Sequence, residues 1–265
     1  MNIITWNVNG IRAVERKGEL QNLIEREAPD FLLLQEIKGN KEQFSEFLTE
    51  NSDYDQFYHS AEKKGYAGTG LWVNRQFQET ITGFKFLTAI PDSPNADEGR
   101  VAHAQFSIND EPFDLFSIYF PNGGKNPEAW IEKLDFYERT LDYMNALRVA
   151  GRTVIVGGDM NVAHNEVDIA RPKANDGKIG FHPKERNWMD RVMQADWGDA
   201  WRAKNPDSMD VYSWWAMRGG ARSRNVGWRI DYFLLEQRFI DRVSTIEYQH
   251  EQLGSDHCPL KLVFK

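Results

Sequence analysis

A mixed α/β fold, with a sheet core flanked by helices, is predicted by three features of this 265-residue sequence. Short charge-free runs rich in leucine or β-branched residues, such as Phe31-Leu32-Leu33-Leu34 and Val154-Ile155-Val156, have the length and composition of buried strands. Longer stretches with apolar residues three and four apart read as amphipathic helices. Between residues 66 and 119 several strand-like runs follow one another with only Gly, Asn or Pro turns between them, which favours antiparallel pairing. At 41% hydrophobic and 27% charged, the chain is long enough for one large core. No linker, low-complexity stretch or internal repeat divides it, so residues 1–265 are read as a single domain.

Residues 3–9 alternate, with Ile4, Trp6 and Val8 facing one way and Thr5, Asn7 and Asn9 the other. An extended conformation puts Asn7 and Asn9 on one face. Leu20, Leu23, Ile24 and Ala28 carry the period of a helix that Pro29 closes. The leucine run that follows ends in Gln35-Glu36, and Phe44, Phe47 and Leu48 suggest a short helix. Strands are expected over 66–74, 78–88, 100–108 and 113–119, the last running into Phe120-Pro121-Asn122-Gly123-Gly124-Lys125. Asn126-Pro127-Glu128 starts a helix, with a capping amide, a proline in the first turn and an acid near the positive end of the dipole. Trp130, Leu134, Tyr137, Leu141 and Met144 continue it as one apolar stripe up to Gly151.

The run Val154-Ile155-Val156-Gly157-Gly158 stops abruptly at Asp159-Met160-Asn161. Because side chains alternate along a strand, Asp159 and Asn161 face one pocket if the extended conformation persists. Residues 162–183 lack periodicity and are rich in Asn, Asp, Gly, Lys and Pro, as functional or disordered loops are. A helix resumes over 183–193 through Trp188, Val192 and Met193. Strands are expected over 228–235 and 259–264, the second straight after Gly254-Ser255-Asp256-His257.

No apolar run approaches the roughly 18 residues of a membrane span. Met1-Asn2-Ile3-Ile4 enters a strand-like pattern with no basic leader before it, so a cytoplasmic protein without a membrane partner is expected. The single cysteine, Cys258, makes neither an internal disulfide nor a cysteine zinc site and suits a reducing compartment. A net charge of -8 argues at first against a polyanionic partner, but the distribution of charge says more than its sum. Arg218, Arg222, Arg224 and Arg229 lie in a stretch without one acid, beside Trp214, Trp215 and Trp228.

Glu36, Asp159, Asp231 and Asp256 sit within or at the edge of apolar strands, with His257 next to the last. Carboxylates buried at such places are costly unless paired or bound to a cation. Oxygen ligands of this kind suit Mg²⁺ or Mn²⁺ far better than zinc. Each acid taken alone reads equally well as a cap, a turn or a surface ion pair. Their joint occurrence at strand ends, with Asn7, Tyr119 and Asn161 in the same pattern, points to a metal-assisted site.

Six segments then resemble, in order, the motifs of the exonuclease III family of apurinic/apyrimidinic (AP) endonucleases. They are Thr5-Trp6-Asn7-Val8-Asn9-Gly10-Ile11-Arg12, Leu34-Gln35-Glu36, Tyr119-Phe120-Pro121-Asn122, Gly158-Asp159-Met160-Asn161-Val162-Ala163-His164, Asn225-Val226-Gly227-Trp228-Arg229-Ile230-Asp231-Tyr232 and Gly254-Ser255-Asp256-His257-Cys258-Pro259. The resemblance spans almost the whole chain. It implies a four-layer α/β sandwich of two mixed, mostly antiparallel sheets packed face to face, with helices outside and the active site at one end. It implies a Mg²⁺- or Mn²⁺-dependent nuclease of base excision repair that hydrolyses the phosphodiester 5′ to an abasic site in double-stranded DNA and leaves a 3′ hydroxyl. Trimming of 3′ ends, by 3′ to 5′ exonuclease or 3′-repair activity, is a further capacity of the family.

By the same resemblance Glu36 is the principal metal ligand, with Asn9 and Asp256 near the ion and Asp159, Asn161 and His257 bordering it. Asp159 aligns or deprotonates the attacking water and Asn161 holds it or the phosphate. His257 contacts a phosphate oxygen while Asp231 sets its tautomer. Tyr119, Asn7 and Asn175 donate to the scissile phosphate. Asn122 binds substrate, Trp214, Trp228 and Ile230 form the abasic-sugar pocket, and Lys125 and Arg218 reach towards the DNA grooves. For the aromatics the bland alternative is core packing, and for the basic residues solvation.

Asn9 departs from relatives with an acid there, which leaves open whether one ion or two act. Lys178 stands where some relatives have asparagine and receives no role. The acidic total charge predicts modest, salt-sensitive DNA affinity, and a monomer is expected. Two other readings stand beside this one: a phosphatase of the same fold acting on phosphoinositides or other phosphoesters, and a catalytically silent DNA-binding module. The arginine-rich segment favours DNA, and the intact Glu36, Asp159, Asp231 and His257 favour an enzyme.

Overall fold

The computed structural model describes residues 1–93 and 96–265. Its first part runs β1 (Asn2–Asn7), α1 (Ile11–Arg16), α2 (Glu19–Glu27), β2 (Phe31–Gln35), α3 (Glu46–Thr49), β3 (Tyr54–His59), β4 (Thr69–Asn74), α4 (Arg75–Gln78), β5 (Thr82–Leu87), β6 (Val101–Ile108) and β7 (Glu111–Tyr119). There follow α5 (Pro127–Val149), β8 (Thr153–Asp159), α6 (Pro172–Asn175), α7 (Pro183–Gln194), β9 (Trp197–Asp199), α8 (Ala200–Lys204), β10 (Trp214–Trp215), β11 (Gly227–Trp228), β12 (Asp231–Glu236), β13 (Val243–Tyr248) and β14 (Leu260–Phe264).

Two six-stranded sheets carry the fold, ordered β13-β14-β1-β2-β4-β3 and β5-β6-β7-β8-β12-β9. The pairs β1/β2 and β7/β8 are parallel and the other pairings within these sheets are antiparallel. The sheets face each other across one apolar layer, and each outer face is covered by helices, giving the four-layer α/β sandwich. The uninterrupted apolar runs follow from this burial on both faces. In β2, Phe31 and Leu33 enter the layer between the sheets, while Leu32 and Leu34 join Val14, Leu20 and Leu23 of α1 and α2. In β8, Ile155 points inward, whereas Val154 and Val156 pack under Tyr137 and Trp188 of α5 and α7.

One polar bridge crosses the core close behind the site. Gln35 Nε2 donates to Thr5 Oγ1 at 3.0 Å in its own sheet and to Ser117 Oγ at 2.9 Å in the other. Ser117 Oγ donates in turn to the Leu34 carbonyl at 3.0 Å. A fully satisfied buried chain of this kind fixes the relative setting of the sheets where an apolar contact would let them slide.

Several expectations are adjusted. The strand expected over 66–74 begins at Thr69, and 78–88 shortens to Thr82–Leu87 because Arg75–Gln78 forms a helical turn capped by Asn74. Residues 162–183 are not structureless: they hold a 3₁₀ turn at Glu166–Asp168 and α6. Of the strands β3, β9, β10 and β13, which the sequence reading did not expect, β3 and β13 escape it for identifiable reasons. β3 is an edge strand with a largely polar face, held by backbone pairing with β4, and β13 contains an irregularity between Val243 and Thr245 that breaks the period of two. Among the described residues, no helix is long and apolar enough to cross a membrane.

Candidate active site

Parallel pairing brings the carboxyl ends of β1 and β2, and of β7 and β8, to one end of the sandwich. Asn7 ends β1, Glu36 follows β2, and Tyr119 ends β7 in register with Asp159 at the end of β8. β12 runs the other way and starts there, with Asp231 paired to Asp159. β14 is antiparallel to β1, so His257 just before it arrives at the same end, its carbonyl accepting from Trp6 Nε1 at 3.2 Å. Six chain segments thus converge, three through pairing in each sheet and the two sets through the packing of one sheet on the other.

The strands do not continue past their last residues. Asn9, Glu36 and Asn161 all have left-handed backbones, with φ of 43°, 51° and 52°. Asn7 and Asn9, and Asp159 and Asn161, are therefore joined by side-chain turns rather than by strand alternation. Asn7 Oδ1 accepts from Asn9 N at 3.0 Å, and Asp159 Oδ1 accepts from Asn161 N at 2.8 Å. The expected shared pocket for Asp159 and Asn161 exists, reached by a turn.

These bonds orient the centre. Asn7 Nδ2 donates to Glu36 Oε1 and to Asp159 Oδ2, both at 2.9 Å, and so lies between the two carboxylates. Asn161 Nδ2 donates to the Phe120 carbonyl at 2.9 Å, and Asn122 Nδ2 donates to Asn161 Oδ1 at 3.2 Å. His257 Nδ1 is 2.8 Å from Asp231 Oδ2, which leaves Nε2 facing Asp159 Oδ2 at 3.9 Å. Ser213 Oγ, not flagged by the sequence, donates to Asp231 Oδ2 at 2.6 Å and accepts from the Ile230 and Asp231 amides.

Burial and then the charge of Asp231 push the Asp159 carboxyl up to about 8, against the opposing pull of His257. Burial disfavours the charged His257 ring, but the charge and hydrogen bond of Asp231, with Asp159 and Asp256 adding to them, outweigh it and raise the imidazole to about 10. Burial, Glu36 and Asp159 together keep Tyr119 a neutral phenol able to donate a proton. The site holds more negative charge than its own protons balance, the condition under which a divalent cation is favoured.

Among the described residues, Glu36, Asp159 and His257 form a group whose ligand atoms lie within 4.8 Å of one another. The two carboxylates of this group fit a hard divalent ion, and the His257 ring, held by Asp231, stands beside them. Asp256 is engaged otherwise: Asn9 Nδ2 donates to its Oδ1 at 2.9 Å and Trp214 Nε1 to its Oδ2 at 3.0 Å. Lys38 also enters the site, its ammonium 2.7 Å from Glu36 Oε2 and bonded to Asn9 Oδ1.

Beside this centre lies a cavity of about 200 Å³ lined by the polar Glu36, Tyr119, Asn122, Asp159, Asn161 and His257 and by Trp214, Trp228, Ile230 and Gly180. The two indoles meet edge to face, 6.0 Å apart at 85°. Three expected substrate contacts lie outside it. Asn175 donates to the carbonyls of Ala170 and Arg171, Lys125 stands in the neighbouring cleft with Arg100, and Arg218 shares a groove with Arg171, Lys178 and Arg224. The arginine stretch splits: Arg222 is bound to three backbone carbonyls, and Arg229 is fully buried against Asp168 and Asp199. Of its four members, Arg218 and Arg224 line the open groove.

The profile of the Endonuclease/Exonuclease/phosphatase family matches residues 4–257. An exodeoxyribonuclease from Bacillus subtilis is 35% identical over 263 residues, covering 99% of each chain. A DNA-(apurinic or apyrimidinic site) endonuclease from Dictyostelium discoideum is 32% identical over 269 residues, covering 99% of this chain and 70% of that one. The crystal structure of the AP endonuclease LMAP from Leishmania major superposes with a TM-score of 0.90 at 27% identity, covering 100% of this chain and 87% of the other.

Proposed function

Since this chain belongs to the Endonuclease/Exonuclease/phosphatase family, we propose how its residues divide the work of cutting DNA. The protein is a hydrolase of the AP endonuclease and exonuclease III type, which cuts the phosphodiester 5′ to an abasic site and leaves a 3′ hydroxyl. The observation that carries this is the meeting of Glu36, Asp159 and His257 beside a small cavity walled by Trp214, Trp228 and Ile230.

Glu36 is the main holder of Mg²⁺ or Mn²⁺, which when bound neutralises charge on the phosphate and the leaving oxygen. Asp159, whose carboxyl is raised into the range useful for proton transfer, orients the attacking water and takes its proton. Asn161 holds that water or a phosphate oxygen. His257 is held protonated by Asp231 and offers Nε2–H to a phosphate oxygen. Tyr119 and Asn7 donate to the same group. Asn122 orients Asn161, while Asn9 and Asp256 form the rim of the metal site through their mutual bond. Lys125, Asn175 and Arg218 lie outside the cavity, on surfaces that contact the flanking duplex in this reading.

Specificity is steric: two tryptophans and Ile230 bound a space that accepts a baseless sugar and excludes one that carries its base. Residues 1–265 act as one catalytic domain, as a monomer in the cytoplasm, and the same centre serves 3′-end trimming. The reading is tested by incision of a duplex carrying a synthetic abasic site, in Mg²⁺ and in EDTA. Cutting is expected only with the metal, and an uncut duplex in Mg²⁺ refutes it.

A further inference from the structure

A buried ion pair lies behind the pocket, and no step above uses it. Lys133 on α5 and Glu185 on α7 are both fully buried, and their charged groups are in direct contact. Apolar residues of equal volume often stabilise a protein as well as such a pair does, so stability alone is a weak account of it. Its hydrogen bonds point elsewhere. Besides Glu185, the Lys133 ammonium donates to the backbone carbonyl of Asn122 at 3.1 Å and of Asn161 at 2.9 Å, which uses its three donors. Glu185 in turn accepts from Gly180 N at 2.7 Å and His182 N at 3.0 Å.

Three of these backbone groups, those of Asn122, Asn161 and Gly180, belong to residues that line the cavity. Asn161 and Asn122 are hydrogen-bonded to each other beside Asp159, and Gly180 joins that segment to the Trp228 indole, its carbonyl accepting from Ala163 N at 2.8 Å. Gly180 has a φ of +86°, and a Cβ on it would lie 2.8 Å from the Trp228 ring, so the backbone itself backs that indole. Three segments that differ in sequence position by tens of residues are thus tied to one charged knot.

We propose that Lys133 and Glu185 are positioning residues for incision, setting Asn161 and Asn122 at a fixed distance from the Trp228 wall so that phosphate and abasic sugar are presented in one register. The inference rests on the incision reaction proposed above. Neither side chain touches substrate. Loosening the pair leaves the binding surfaces present but misaligned, which costs rate more than affinity.

Lys133→Met and Glu185→Gln are compared with the wild type on an abasic-site duplex in saturating Mg²⁺, below the Tm of each protein, with kcat and KM determined separately. In both variants kcat is expected to fall at least about tenfold while KM moves by less than about threefold. Glu185→Gln keeps the side-chain shape and one acceptor oxygen, and it carries the test if Lys133→Met does not fold. A folded Glu185→Gln with a wild-type kcat, whatever its Tm, overturns the inference, as does a loss carried wholly by KM. A wild-type protein that does not cut the duplex refutes the proposed reaction instead, so the two failures are told apart.

Discussion

Asp159 is the residue on which the most constraints meet. It ends a core strand, pairs with Asp231, accepts from Asn7 and Asn161 and faces His257. Asp159→Asn keeps the shape and removes the proton acceptor, so kcat for abasic-site incision is expected to fall by about 10²–10⁴-fold with KM little changed. The raised carboxyl also makes a statement about stability. The folded protein holds a proton on Asp159 up to about 8 and on His257 up to about 10, whereas the unfolded chain releases them near its ordinary values. Stability from both groups is fully present below the unfolded values and is lost as pH rises through the folded ones. In EDTA the Tm is therefore expected to decline as pH rises from 5 towards 9. A cation binds best to the deprotonated site, so the Tm gained on adding Mg²⁺ should be larger at pH 8.5 than at pH 6, a difference that differential scanning fluorimetry reads directly. An equal gain at both values would refute the assignment of these protons.

At the scale of elements, the sugar pocket depends on a clasp. Arg229 is fully buried between the short strand β11 and β12, with Nε 2.8 Å from Asp168 Oδ1 and a terminal nitrogen 2.7 Å from Asp199 Oδ2. Arg202 reaches the same Asp168 oxygen at 2.7 Å. This is why the stretch after β8, unreadable as periodic sequence, still has a defined path: its Asp168 is anchored to a residue flanked by Trp228 and Ile230. Asp168→Asn leaves buried guanidinium charge unbalanced and is expected to cost about 3–5 kcal/mol in urea unfolding at pH 7. Burial pushes the Asp168 carboxyl up, but the charge of Arg229 and hydrogen bonds from Arg229, the Asn165 amide and Arg202 outweigh it and hold it below the usual range. A carboxyl lowered in this way contributes stability above its unfolded value and loses it as pH falls through the folded one. The gap between wild type and Asp168→Asn should therefore narrow below about pH 4.

For the whole molecule, charge and topology set what the chain can bind and what can be foreseen of it. With a net charge of -8, the protein depends on local basic surface to attract DNA, and Arg171, Lys178, Arg218 and Arg224 share one groove. If about two to three phosphates are neutralised there, raising KCl from about 50 to about 200 mM should weaken binding of an abasic duplex by about 10- to 50-fold in EDTA, read by fluorescence anisotropy. The helix start at Asn126, the buried strands 31–34 and 154–156 and the acids at their ends were legible in the chain, because capping, burial and periodicity are local properties. Lys133 was not legible, since a lysine off the apolar stripe of Trp130, Leu134, Tyr137, Leu141 and Met144 reads as solvated, and only the fold shows it buried. The meeting of Glu36, Asp159 and His257 was not local in any sense. It follows from two parallel strand pairs, two antiparallel returns and a Gln35–Ser117 bridge between sheets. Sequence by itself determined which runs are buried and that acids stand at their ends; the tertiary structure alone decided which arginines face solvent, that turns and not extended strands aim Asn9 and Asn161, and that one buried ion pair stands behind the cavity, because each of these depends on partners far away along the chain.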